Sequence, residues 1–107
     1  MKLMLIIVNK DDEGILSRQL RDNGYYLTKI ATAGGFLNQG NVTLLVGVDN
    51  DRVDGVLEIV KEYSKKRVVK IPIIPPVETM TLQQNYQEIT VGGATVFVLD
   101  VCQFRKV

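Results

Sequence analysis

The residues from Thr32 to Val48 read TAGGFLNQGNVTLLVGV, four glycines, one aromatic and amide side chains leading into an apolar run. Gly34 and Gly35 lack side chains, so their backbone N–H groups can turn inward as an anion-binding nest and let a ligand come close. A plain glycine turn needs the same residues. Gly35 to Gly40 has the G-x-x-x-x-G spacing of a phosphate loop, but Asn41 and Val42 stand where Lys and Ser or Thr belong, and a strand follows instead of a helix. A P-loop is therefore rejected. Phe36 and Leu37 beside the turn offer a face on which a base can stack, and Asn41 has the paired donor and acceptor that match an adenine edge. These types fit a purine nucleotide; a hydrophobic plug with a turn asparagine fits them as well.

Catalysis has little to work with. The chain has no histidine and a single cysteine, which removes Ser-His and Cys-His mechanisms and the usual zinc sites. Asp49, Asp51 and Asp54 cluster where helix capping explains them, and DNDRVDG departs from the calcium-loop pattern. Cys102 reads as a packed, inert thiol. No enzymatic activity, metal or cofactor is expected. A net charge of +1 gives no broad field to attract nucleic acid or an anionic membrane. The third strand has no aromatic residues of the kind RNA-binding sheets use, and Phe97 in the last strand reads by default as core. The six-residue run LMLIIV is too short for a signal sequence or membrane span, so a cytoplasmic protein is expected.

The 107 residues fit one domain, residues 1–107, and a chain this small gains by burying more surface in an oligomer. LMLIIV predicts a strand central in a sheet or covered on both faces. Asp11 or Asp12 then caps a helix with apolar positions Ile15, Leu16 and Leu20, ended by a left-handed Gly24. YYLTKIAT and VTLLVGV predict two more strands. Val53, Val56, Leu57 and Val60 make the stripe of a second helix, capped by Asn50 and Asp51 and followed by Lys65, Lys66 and Arg67, which complement its dipole. Pro72, Pro75 and Pro76 then favour an edge or extended loop from about Val68 to Gln87, before ATVFVLDV closes the chain as a strand. The order β-α-β-β-α-β predicts an α+β, ferredoxin-like fold, an antiparallel sheet with both helices on one face.

Two blocks, TKIATAGGFLNQGNVTLLVGVDNDRVD (Thr28–Asp54) and EITVGGATVFVLDV (Glu88–Val101), resemble the cyclic-di-AMP receptor family, the PII-like signalling proteins of Gram-positive bacteria. The resemblance implies a homotrimer with cyclic-di-AMP between neighbouring subunits, no catalysis, and a long loop that responds to ligand and addresses a downstream protein. It carries ligand contacts onto Thr28, Gly35, Phe36, Leu37, Asn41, Gly47 and Phe97. Three departures stand out. Tyr26 occupies a position where the family has a phosphate-binding arginine; the tail carries Arg105 and Lys106, one or the other of which is expected to replace that charge; and PPVETMTLQQNYQ replaces the family's glycine- and proline-rich loop with a shorter one.

Overall fold

In the computed structural model the described residues are 1–30, 40–72 and 86–107. Gly34, Gly35, Phe36 and Leu37 lie outside them, as do Ala31 and Thr32 at the end of the predicted second strand and the centre of the predicted long loop. The elements are β1 (Lys2–Asn9), α1 (Lys10–Asp22), β2 (Leu27–Ile30), β3 (Asn41–Val48), a 3-10 turn (Asn50–Arg52), α2 (Val53–Tyr63), β4 (Arg67–Pro72), β5 (Tyr86–Val91) and β6 (Ala94–Asp100). β2, β3, β1 and β6 form, in that spatial order, an antiparallel sheet. With the two helices this gives a mixed α+β architecture consistent with a ferredoxin-like fold.

β1 shows the two-residue alternation of a strand covered on one side. Met4, Ile6 and Val8 are fully buried, while Leu3, Leu5 and Ile7 between them are only half-buried. Across β3 the buried partners are Val46 and Leu44, and Leu16 and Leu20 of α1 and Val56 and Val60 of α2 complete one core. The opposite face of the sheet carries Leu3, Leu5, Ile7 and Leu45, with Phe97 and Leu99 exposed beside them. Phe97 is thus not a core residue of the single chain, as its default reading had it.

Local chemistry differs from the expected caps in instructive ways. The Asn9 side chain, rather than Asp11 or Asp12, caps α1 by accepting the Asp11 N–H at 2.8 Å. Asp12 is therefore free to turn inward, and its carboxylate takes both terminal nitrogens of Arg67, Nη2–Oδ1 at 2.9 Å and Nη1–Oδ2 at 3.3 Å. That hydrogen bond, with the Asp12 charge, raises the Arg67 pKa further above its ordinary value. Arg67 is a fastener between α1 and β4 and not merely a cation at a helix end. Neither Asn50 nor Asp51 caps α2, because both sit inside the 3-10 turn that leads into it, and no side-chain cap bond is made there. Ile15 is half-exposed, at the margin of the apolar stripe that Leu16 and Leu20 bury. Cys102 is exposed rather than packed.

The segment expected to be an edge or an extended loop from about Val68 to Gln87 has strands at both ends. β4 and β5 pair antiparallel from Arg67–Val91 to Pro72–Tyr86 and form a separate two-stranded sheet, with Pro72 at its last rung. Residues 67–72 and 86–91 are mostly exposed, so this ladder is held largely by its own backbone bonds and by its foot. At the foot the Gly93 N–H donates to the Ser64 carbonyl and Arg67 Nη1 reaches the Lys65 carbonyl at 3.2 Å.

Gly24 ends α1 as its position predicts, with φ of +84°. Its N–H bonds the Arg21 carbonyl and that of Tyr25 bonds the Leu20 carbonyl, both at 2.9 Å, the paired bonds of a Schellman motif. This turn sets where Tyr25 and Tyr26 leave the helix. A methyl group at Gly24 would meet only Arg52 Nη2 at 3.6 Å, so the cost of adding one is the backbone conformation alone. Gly24→Ala is expected to lose about 1–2 kcal/mol of stability in urea unfolding, whereas Ile15→Ala changes it by less than about 1 kcal/mol.

Candidate functional site

The strand register decides which of the predicted residues meet. Thr28 pairs with Leu45, Leu45 with Leu5, and Leu5 with Phe97, so these four form one row across the whole sheet on the face away from the helices. Thr28 and Phe97 stand at the two ends of that row, three strand spacings or about 14 Å apart. Within one chain they cannot grip one base. The neighbouring row joins Gly47, Leu3 and Leu99, and Asn41 lies opposite Asn9 at the other end of the sheet, next to Gly40.

A cavity of about 570 Å³ opens on this face. Leu3, Leu45 and Gly47 form its floor, Tyr26 and Thr28 its β2 side, and Val101, Phe104 and Lys106 its other side. The segment after β6 makes that second wall by crossing back over the sheet, anchored by the Val101 N–H on the Met1 carbonyl at 3.2 Å. Beside it Lys2 bonds Asp100, and that hydrogen bond together with the lysine charge holds the Asp100 carboxyl below its usual range. Of the sequence-predicted residues, the cavity brings together Thr28, Gly47 and Lys106. Arg105 is exposed but does not line it, and Asn41 and Phe97 lie elsewhere on the same face. A side chain added at Gly47 would have only the Met1 methyl nearby, at 3.8 Å, so the glycine keeps floor space open.

Sequence reasoning did not single out Leu3, Leu45, Val101 or Phe104 as lining residues. Strand alternation could have placed the first two; the returning tail has no local signal. It also passed over Thr43, which lies on the same face between Asn41 and Leu45 and is buried with no hydrogen-bond partner among the described residues. An unpaired buried hydroxyl is uncommon, and this one borders the path from Gly40 to the cavity.

The first turn of α1 touches both regions of interest. The Lys10 N–H donates to the Gly40 carbonyl at 2.7 Å, where the glycine-rich segment rejoins the described chain, and Asp12 holds Arg67 at the foot of the β4–β5 ladder. A second, larger groove of about 690 Å³ lies between α2 and β6, edged by Lys61, Lys65 and Lys66. It contains none of the residues that the sequence singles out for ligand contact. Among the described residues no group of three His, Cys, Asp or Glu side chains is placed to hold a metal, and no helix is long and apolar enough to cross a membrane.

Two comparisons with known proteins bear on the chain as a whole. A protein of unknown function from Pediococcus pentosaceus ATCC 25745, known from its crystal structure, is similar over 99% of this chain and 96% of its own, with 40% identity and a TM-score of 0.75. The cyclic-di-AMP receptor family matches residues 1–107. That is a family of receptors rather than enzymes, and its match spans every element that shapes the cavity, from β1 to the returning tail. This chain belongs to the cyclic-di-AMP receptor family.

Proposed function

We propose that the protein is a cytoplasmic, homotrimeric, PII-like receptor that binds cyclic-di-AMP between neighbouring copies and reports occupancy through the segment from about Val68 to Gln87. The observation that carries this reading is the cavity on the open sheet face, where Thr28, Gly47 and Lys106 meet. A volume of about 570 Å³ is within the usual range for small-ligand sites, apolar floors with a few polar groups being the rule. The register supports a shared site, because Phe97 and Thr28 of one chain stand too far apart to flank the same base, so a pocket that sets both against one base takes them from different chains. The exposed apolar side chains Phe97 and Leu99 support assembly on the same face.

In this reading Gly34 and Gly35 offer backbone N–H groups to phosphate, and Phe36, Leu37 and Phe97 wall the bases. Thr28 and Asn41 give directional polar contacts, and Lys106, with Arg105 near it, supplies the cation that Tyr26 does not. The ligand is bound and released unchanged. Signalling requires that it favour one arrangement of the β4–β5 segment, since equal affinity for two arrangements shifts neither. A downstream protein would read that segment.

Tyr26 leaves open a second reading, a receptor of the same build for ATP or ADP, because the family's phosphate-binding arginine is missing at that position. Thermal unfolding with cyclic-di-AMP, ATP, ADP and cyclic-di-GMP separates the two. A ligand present at about 100 times its dissociation constant adds roughly 2.7 kcal/mol and raises the midpoint by several degrees. A shift confined to cyclic-di-AMP is expected. A shift with ATP or ADP alone would transfer the site to those nucleotides, and none at all, in a folded trimer, would identify an interaction protein without ligand.

The tail charges give an independent check. Replacing both Arg105 and Lys106 by glutamine should weaken cyclic-di-AMP binding about tenfold or more in titration calorimetry, the scale of one charged hydrogen bond. Unchanged affinity would mean that other donors hold the phosphates.

A further inference from the structure

We propose that Tyr26 and Phe104 form an aromatic clamp that stacks one purine ring of the ligand at the mouth of the β2 cavity. The inference rests on the receptor reading above and adds two base-contacting residues to it. Tyr26 is 89% exposed and Phe104 62%, and both line the same cavity. They reach it from opposite edges of the sheet, Tyr26 from the residue before β2 and Phe104 from the tail that crosses back after β6.

The chain around Tyr26 is built to present it. The Schellman turn fixes Tyr25, whose ring lies 4.4 Å from the Arg52 guanidinium and packs partly buried against the core. With Tyr25 held inward, strand alternation sends Tyr26 to the open face. The register that pairs Leu27 with Val46 continues to Gly47 beside Tyr26, and Gly47 leaves the space next to the ring empty. A planar heterocycle that enters there has Tyr26 on the β2 side of the cavity and Phe104 on the tail side.

The polar groups around that slot fit the rest of a nucleotide. Thr28 is positioned for a base edge or ribose hydroxyl, and Lys106, two residues after Phe104, for a phosphate. Aromatic stacking tolerates any base, so the clamp supplies affinity and the polar groups supply selection.

Equilibrium binding of cyclic-di-AMP to the full chain, with the assembly mass read by light scattering in the same samples, tests the clamp. Tyr26→Ala and Phe104→Ala should each weaken binding about 5- to 100-fold, the range found when a stacking ring is truncated, with the assembly and the ligand-free midpoint unchanged. Tyr26→Phe should retain affinity within about threefold, since the ring and not the hydroxyl acts. Tight binding that survives both alanine variants would overturn the clamp and leave the receptor reading in place. Dissociation of the assembly in either variant would assign the rings to contacts between copies and also overturn it. Absence of binding by the unaltered protein would remove both the clamp and the receptor reading.

Discussion

β1 is apolar on both faces, and a single chain has helices enough to cover only one. Met4, Ile6 and Val8 are sealed beneath α1 and α2, while Leu3, Leu5 and Ile7 look out on a face that also carries Leu45, Phe97 and Leu99. Much else in the architecture follows from that asymmetry. The tail after β6 crosses part of the open face and, by leaving Gly47 bare beneath it, makes a cavity instead of a seal. The rest of the face stays apolar and partly exposed, and the proposed ligand site and the proposed assembly share its residues.

The other organising contact is the first turn of α1. Asn9 takes over the capping role, which frees Asp12 to pair with Arg67, and the same turn bonds the Gly40 carbonyl through the Lys10 N–H. The end of the glycine-rich segment and the foot of the β4–β5 ladder are thus fastened to one short piece of helix. Asp12 is buried and Arg67 is half-exposed, so the pair is set by an inward carboxylate that a flexible cation comes to meet. Such a pair matters chiefly for where it holds the ladder, because partly solvated ion pairs contribute little stability.

Elements whose signal is local were legible in the sequence. The alternation of β1, the stripe of Val53, Val56, Leu57 and Val60 and the left-handed Gly24 each rest on a few neighbouring residues, and the structure has them. What escaped depends on distant partners. Asp12 and Arg67 are 55 residues apart, and nothing near Asp12 distinguishes a cap from an ion pair. The prolines left an edge strand or an extended loop open near residue 70, and the pairing of β4 with β5, which decides for a strand, brings together residues about 20 apart, with Pro72 at the last described rung. At the site, Thr28 and Gly47 were legible through the family resemblance. Their meeting with Phe104 and Lys106 required the tail to fold back. Gly34, Gly35, Phe36 and Leu37 remain expectations of the sequence, being outside the described residues.

In the proposed assembly each copy of the chain holds one cyclic dinucleotide. Titration calorimetry of cyclic-di-AMP into purified protein, with the assembly mass measured in the same solution, tests it directly through stoichiometry. A trimer that saturates at one ligand per chain is expected. A monomer that binds the ligand, or a trimer that saturates far below one per chain, would contradict it.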